Sequence, residues 1–336
     1  MVPGRIEMGK LRVTLACGPY DRTWALASGQ VQPEGVDLNY VTLPPEELFW
    51  RMAVHGEFDA SEFSLGAMSI LLGRGDRRFV GIPVFPSRFF RHSSIFVNAH
   101  SGIKGPEDLK GRRVGVPDYT MTANTWIRGL LEHEYGVKPT DMQWFTGGLN
   151  EPGRRQRVAT KPIPGLQVTH SDAWVLSDML DRGEIDALIG AREPDSFRAG
   201  SPNVARLFTD YRPVEVDYYR RTGIFPIMHL VVLKRETYEK SPWLAYSLLK
   251  AFEESKRLCA EEMSKQSALR YMLPWMIPEL EETARIMGDD YWSYGVEANR
   301  LTIEAFIGYS VEQGLAESPF SVEDMFAAET VNVAKI

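Results

Sequence analysis

The stretch FPSRFFRHSSIFVN, residues 85–98, decides how this chain is organised. It places Arg88, Arg91 and His92 among phenylalanines and then runs directly into an apolar segment typical of a strand. Charged side chains usually stay exposed to water. Three of them at the start of a strand therefore indicate either a solvated turn or a binding site for an anion.

A second apolar stretch, IMHLVVLK at residues 227–234, predicts how the chain is divided. Strand-like segments alternate with amphipathic helical segments before and between the two stretches, which is typical of sheets covered by helices. The length of 336 residues also exceeds the usual size of one core. We therefore predict an α/β protein of two lobes, 1–94 with 229–336 and 95–228, joined by two crossover strands. Ligands bind beyond the carboxyl ends of strands in such sheets, which places the predicted site in the cleft between the lobes.

The composition is that of a globular protein, with 44% hydrophobic and 25% charged residues. A net charge of −7 argues against a general nucleic-acid binder, which needs a surplus of cations. No apolar run is long enough to span a bilayer, so we predict no membrane partner. Charges interrupt the N-terminal sequence where a secretory signal needs an apolar region, which predicts a cytoplasmic protein. Whether the chain forms a homo-oligomer stays open, because the sequence does not determine the oligomeric state.

Motifs for common cofactors and nucleophiles are absent from the sequence. It has no G-x-G-x-x-G after a strand, no P-loop, no G-x-S-x-G and no H-E-x-x-H. The six histidines show no metal-ligand spacing. We therefore predict neither a metal nor a cofactor.

Six stretches carry a resemblance to a known family: GPYDRT (18–23), FDASEFSLG (58–66), IPVFPSRFFRHSSIFVN (82–98), GRRVGVPD (111–118), MTANTWIRGLLEHEYG (121–136) and ALIGAR (187–192). They resemble the 4,5-dihydroxyphthalate decarboxylases of bacterial phthalate degradation. The order of elements resembles the type II periplasmic-binding-protein-like fold, in which two α/β lobes are joined by two hinge crossover strands. The resemblance implies that the chain converts 4,5-dihydroxyphthalate to protocatechuate and carbon dioxide.

The residue types in these stretches suit that reaction. A hydroxyl para to the carboxylate pushes electron density into the ring, the ipso carbon takes a proton, and carbon dioxide leaves, so no electron-sink cofactor is needed. Such a site needs cations for the carboxylates, a base near the phenol, a proton donor over the ring and aromatic walls. Arginine binds carboxylates in a bidentate manner, and histidine transfers protons near neutral pH.

The predicted catalytic residues are His92, His229 and Glu62. Adjacent residues of an extended segment point to opposite sides, so Arg91 and His92 are not both expected to enter the cleft. His229 alternatively is a hydrogen-bonded core residue. Glu62 would donate a proton to the ring if partial burial raised its pKa; helix capping is the alternative.

Seven residues are predicted to bind the substrate. Arg88 and Arg91 are expected to hold the carboxylates, with a structural ion pair as the alternative. Thr122 and Asn124 begin a helix, where capping and anion binding are both common. The others follow strand ends or supply an aromatic wall, and the full set is Arg22, Arg88, Arg91, Tyr119, Thr122, Asn124 and Arg192.

Two further functions stay open on the sequence alone. One is a non-catalytic solute-binding protein for an aromatic or other organic anion, for which no export signal is visible. The other is a relative of the pyrimidine-forming proteins of thiamine biosynthesis, which have a similar fold. The chain has only two distant cysteines and no cysteine-rich cluster, which counts against the latter. Turnover of 4,5-dihydroxyphthalate separates the enzyme from both.

Overall fold

The structure is a computed structural model that describes residues 9–153 and 161–332. The strands in these ranges are β1 (Leu11–Cys17), β2 (Val36–Thr42), β3 (Ala60–Ser64), β4 (Phe79–Arg88), β5 (Ile95–Asn98), β6 (Arg113–Gly115), β7 (Gln143–Gly148), β8 (Gln167–Val175), β9 (Ala187–Ile189), β10 (Val204–Arg206) and β11 (Ile227–Lys234). The α-helices are α1 (Trp24–Ala27), α2 (Pro45–Trp50), α3 (Leu65–Gly73), α4 (Thr122–Tyr135), α5 (Leu176–Asp181), α6 (Asp195–Arg198), α7 (Tyr211–Thr222), α8 (Arg235–Lys240), α9 (Trp243–Ser264), α10 (Met276–Met287), α11 (Arg300–Glu312) and α12 (Ala328–Val331).

Two mixed sheets form the cores of the two lobes. The sheet of lobe 1 has the strand order β2-β1-β3-β11-β4, and that of lobe 2 has the order β10-β5-β9-β6-β7-β8. In lobe 1, β1 is parallel to both neighbours, whereas β11 runs antiparallel between β3 and β4. The predicted two-lobed α/β fold is confirmed. The bounds 1–94 with 229–336 for lobe 1 and 95–228 for lobe 2 stay a prediction; below, lobe 1 is the part of the chain around the first sheet and lobe 2 the part around the second.

The two passages between the lobes lie side by side. The first leads from β4 through a 3-10 turn, His92–Ser94, into β5. The second leads from α7 into β11, which lies within the sheet of lobe 1 along its whole length. The strand predicted as the second crossover is therefore a strand of lobe 1, and the passage itself is residues 223–226. A hydrogen bond from the Phe89 N–H to the Pro226 carbonyl, 3.1 Å long, links the two passages.

Helix α4 brings lobe 2 against lobe 1. Its first three turns are buried, and the indole N–H of Trp126 donates to the carbonyl of Ile227 in β11 at 2.8 Å. Gly136 ends the helix at φ 65°, a left-handed conformation that glycine adopts at little cost. The amino end of α4 is thereby fixed against the sheet that carries His229.

Two other features concern the remaining chain. Strand β8 continues to Val175, and α5 begins directly after it at Leu176. The bulky side chains of Trp174 and Val175 favour the strand here. Within the described ranges, no helix is long and apolar enough to cross a membrane.

Candidate active site

Glu62 lies beneath the surface of the cleft, at the centre of a hydrogen-bond network. Its side chain is fully buried in β3, with β1 and β11 on either side. One carboxylate oxygen, Oε1, accepts hydrogen bonds from the Tyr20 hydroxyl at 2.7 Å and from Nδ1 of His229 at 2.6 Å. The other, Oε2, accepts from the Gly18 N–H at 2.8 Å, and the Cys17 thiol lies 3.6 Å from it.

These donors keep the Glu62 carboxylate ionised. Burial acts to raise the pKa of Glu62, but the hydrogen bond and charge of His229, with the hydrogen bonds of Tyr20 and Gly18, outweigh burial and lower it. The expectation of a raised pKa is therefore wrong. With no exposed surface, Glu62 orients other groups and does not itself protonate a ring.

His229 is the partner of Glu62 that reaches the cleft. Because an ionised carboxylate only accepts hydrogen bonds, Nδ1 of His229 carries the hydrogen between them. The ring also packs edge-on against Phe49, with centroids 4.7 Å apart. Its side chain is 18% exposed, and Nε2 has no hydrogen-bond partner among the described residues. Nε2 is thus the nitrogen that can meet a ligand.

Arg91 is a buried cation between the lobes. Its Nε lies 3.3 Å from Sδ of Met228, the neighbour of His229, and its Nη1 donates to the Ala191 carbonyl of lobe 2 at 3.5 Å. No carboxylate of the described residues lies within 4.0 Å of it. Burial lowers the pKa of Arg91 to about 10, against the opposing charge of Glu215. A buried charge without a close partner is costly, which makes this guanidinium a natural site for an anion.

The Arg88 guanidinium donates hydrogen bonds to other residues of the chain. One of its terminal nitrogens donates to the Ser293 carbonyl at 2.6 Å and also to the Asn299 side chain, and the other donates to the Phe225 carbonyl at 3.4 Å. Its guanidinium ties the end of β4 to the segment before α11. Both terminal nitrogens are thus used within the protein, while Nε has no hydrogen-bond partner among the described residues. That Arg88 holds a second carboxylate stays a prediction, and the contacts of its terminal nitrogens favour the structural alternative.

His92 is enclosed by aromatic rings and does not reach the cleft. It is 1% exposed and packs edge-on against Phe208 and Tyr218, with centroids 5.3 Å apart in both cases. Burial, with a smaller effect of Arg221, lowers the pKa of His92 to about 4. Its 3.8 Å contact with Glu215 is therefore not an ion pair near neutral pH. The predicted catalytic role of His92 is contradicted by this burial.

Thr122 and Asn124 hold the lobe 2 side of the cleft in place. The Thr122 hydroxyl lies 2.9 Å from the Ser64 hydroxyl and accepts from the Gly66 N–H at 2.9 Å, so it joins the two lobes. Asn124 donates to the Asp118 carbonyl at 2.6 Å and fixes the turn before α4. Neither caps the helix, because the N-cap position is Met121.

Tyr119, predicted as an aromatic wall, and Arg192, predicted to bind the substrate, have different surroundings in the structure. Tyr119 is buried in the lobe 2 core, against the Arg128 guanidinium at 3.7 Å and the Trp144 ring at 5.4 Å. Arg192 is exposed, and its guanidinium lies 3.4 Å from Glu46 of lobe 1. Tyr119 is thus part of a core, while Arg192 spans the mouth of the cleft.

Arg22 stands between the Glu62 network and a second cavity. Its guanidinium lies between the Tyr20 and Trp292 rings, 4.3 Å from both, and Nε donates to the Pro86 carbonyl at 2.6 Å. Beyond it is a cavity of about 770 Å³ that α9 lines. The cations on its wall that have a carboxylate within 4.0 Å are Arg22, Lys250, Lys256 and Arg257.

The cleft between the lobes is narrow in this structure, at about 30 Å³. Phe49, Phe63 and Ser64 of lobe 1 face Asp118 and Thr120 of lobe 2 across it. We place the candidate active site here, not in the larger cavity, because the cations of the larger cavity are already paired. The cleft instead adjoins His229, whose ring packs on Phe49.

Sequence reasoning missed three side chains of this region. Tyr20 and Asp118 each follow a strand end, which is the usual ligand position in such sheets, so a signal was present in GPYDRT and GRRVGVPD. Glu215 lies within α7, where nothing in the sequence distinguished it from a surface acid. In the described ranges, no group of three histidine, cysteine, aspartate or glutamate side chains could hold a metal ion.

Comparison with known proteins supports one family. The family model described as NMT1/THI5 like matches residues 89–151. The chain is 39% identical to a 4,5-dihydroxyphthalate decarboxylase of Comamonas testosteroni, over 98% of this chain and all of that protein. It is 41% identical to a protein of the same name from Pseudomonas putida, over 64% of this chain and 84% of that one.

Solved structures share the fold at low identity. A periplasmic sulfonate-binding protein SsuA from Methylobacillus flagellatus matches with a TM-score of 0.56 and 15% identity, over 95% of this chain and 92% of that one. The aliphatic sulphonate binding protein SsuA of Escherichia coli matches with a TM-score of 0.53 and 15% identity, over 95% and 98%. These likenesses support the two-lobed periplasmic-binding-protein-like fold.

Proposed function

The chain belongs to the 4,5-dihydroxyphthalate decarboxylase family, and we propose that it releases one carboxylate of 4,5-dihydroxyphthalate as carbon dioxide and leaves protocatechuate. The observation that carries this proposal is the Glu62–His229 pair beside the unpaired Arg91. A proton-transfer group and a cation for a carboxylate are the two elements that the reaction needs most.

In the proposed mechanism, Arg91 holds a carboxylate of the substrate and His229 supplies the proton. Protonated His229 donates from Nε2 to the ring carbon that bears the leaving carboxylate, while the para hydroxyl pushes electron density into the ring. The carbon–carbon bond then breaks, carbon dioxide leaves, and the bonding pair restores the aromatic ring. Glu62 stabilises the imidazolium before transfer, and solvent returns the proton to His229.

The lobes must separate for the substrate to enter. A cleft of about 30 Å³ is far smaller than the roughly 300–1,000 Å³ of ordinary small-molecule sites, and it is too small for an aromatic diacid. The hydrogen bonds from Thr122 to Ser64 and Gly66 would break on opening and re-form once the substrate is held. Small-angle scattering should show compaction when phthalate, an unreactive analogue, is added.

The test of the proposal is direct. Purified protein mixed with 4,5-dihydroxyphthalate should form protocatechuate and carbon dioxide in equal amounts, measured by chromatography and a carbonate-coupled assay. Dialysis against EDTA should leave the rate unchanged, since we propose a cofactor-independent reaction. Saturable binding without product would favour a solute-binding protein, and a rate that one divalent ion restores would contradict the metal-free mechanism.

We also propose that the protein acts in the cytoplasm. Cys17 and Cys259 are both free, which suits a reducing compartment. Cell fractionation with an antibody against the chain would test this location.

A further inference from the structure

Asp118 is a buried carboxylate that lines the cleft without a close cation. It is 2% exposed, and its Oδ1 accepts from the Thr120 N–H at 2.9 Å and from the Thr120 hydroxyl at 2.7 Å. Its Oδ2 receives no hydrogen bond from the residues that the structure describes. The charge of Asp118 acts on the buried Arg128, but the two do not form an ion pair within 4.0 Å. One oxygen is thus held in place while the other lacks a donor.

The fold places Asp118 at the same sheet edge as the contact of Arg91. Strands β6 and β9 are parallel neighbours, so the turns that follow them meet. A Cβ added to Gly190 would lie 3.7 Å from Pro117, which shows how closely the turns approach. Arg91 donates to Ala191 in the second turn, and Asp118 follows Pro117 in the first.

We propose that Oδ2 of Asp118 accepts a hydrogen bond from a ring hydroxyl of the substrate and makes the site specific for hydroxylated aromatic acids. This rests on the proposed function. A buried carboxylate needs donors, and an aromatic hydroxyl supplies one. Arg91 attracts the substrate's carboxylate while Asp118 repels it, so the two charges orient the ring with its hydroxyls toward lobe 2.

The same arrangement would reject acids that lack the hydroxyls. A site built to hydrogen-bond a hydroxyl discriminates strongly against an analogue without one, because its own polar group is then left unpaired. Asp118 would therefore contribute to selectivity among ligands more than to the strength with which any carboxylate binds.

The test compares three inert ligands by titration calorimetry: benzoate, 3,4-dihydroxybenzoate and 3,4-difluorobenzoate, which donates no hydrogen bond. The wild type should bind the dihydroxy compound at least about tenfold more tightly than benzoate, and the difluoro compound no more tightly than benzoate. Asp118→Asn should lose most of this preference while its affinity for benzoate stays the same or rises. Asp178→Asn, the same change on the exposed face of α5, should behave as the wild type.

The outcomes separate this inference from the proposed function. Equal weakening of all three ligands in Asp118→Asn, or an unchanged preference, would overturn the role of Asp118. If that variant does not fold, the wild-type ligands still decide, because tight binding of the difluoro compound excludes a hydrogen-bond acceptor. Loss of the proposed function would appear instead as wild-type protein that binds 4,5-dihydroxyphthalate without turnover.

Discussion

Two histidines mark the two passages between the lobes, and the structure gives them opposite surroundings. His92 sits among Phe208 and Tyr218 with both ring nitrogens unbonded, and burial lowers its pKa to about 4. His229 donates to the ionised Glu62 and keeps one nitrogen toward the cleft. His92 stands in FFRHSS and His229 in IMHLVV, and neither stretch predicts which group lies beside each ring. An imidazole becomes a proton-transfer group where a carboxylate supports it, and a packing group where rings surround it.

The largest expected effect separates these two histidines by activity. His229→Gln should lower kcat by about 10²–10⁴, the usual contribution of a general acid or base. His92→Phe should keep kcat within about threefold of the wild type, since no proton of His92 is used. Steady-state kinetics on both variants would check this, with circular dichroism as the control for folding. A large loss of kcat in folded His92→Phe would reverse the assignment.

The second effect concerns the pH dependence of stability at the first passage. The pKa of His92 is about 4 in the folded chain against 6.5 ordinarily, so the unfolded chain binds the extra proton between these values. Stability is therefore lost as the pH falls from 6.5 toward 4, by ~3 kcal/mol at most. His92→Phe should remove that loss, which urea unfolding at pH 7 and pH 4.5 would measure.

Glu215 should show the opposite pH dependence of stability, and it therefore serves as an internal control. Burial raises its pKa to about 7 from 4.5, although hydrogen bonds from the backbone of Ser93 and His92 and the charges of Arg91 and Arg206 lower it. The stability that Glu215 contributes to the folded chain is fully present below pH 4.5 and is lost as the pH rises through 7. Glu215→Gln should therefore gain stability relative to the wild type at pH 8. Parallel pH curves for the wild type and both variants would contradict this picture of the first passage.

The third effect separates the two arginines of the first passage. Arg91→Lys should weaken kcat/KM by about tenfold to a hundredfold, because a bidentate charge-assisted contact with a carboxylate is lost. Arg88→Lys should instead lower the unfolding free energy by ~1–3 kcal/mol, since Arg88 satisfies Ser293 and Asn299. Kinetics and urea unfolding on both variants would test this pair. Equal kinetic losses would restore Arg88 as a ligand of the substrate.

Much of the architecture was predictable from the sequence, whereas partners within the site were not. The strand and helix alternation and the passage at 85–98 follow from periodicity and composition. Glu62 and His229 were both selected, but their contact joins residues that are far apart in sequence and requires β3 and β11 to be neighbours. Arg88 and Arg91 look equivalent in FPSRFFR, and only the fold shows that the segment before α11 uses the first and leaves the second unpaired.

The smallest effect is expected at the mouth of the cleft, where Arg192 of lobe 2 meets Glu46 of lobe 1. Both side chains are more than half exposed, and exposed ion pairs contribute only about 0.2–1 kcal/mol. If this pair merely favours the closed form, Arg192→Ala should raise KM by less than about fivefold and leave kcat unchanged. The difference should disappear in 0.5 M salt, because salt screens exposed charges. Glu46→Gln should have the same effect, and the double variant should be no worse than either single one. A loss of tenfold or more in Arg192→Ala alone would mean that Arg192 turns inward on closure and binds the substrate together with Arg91.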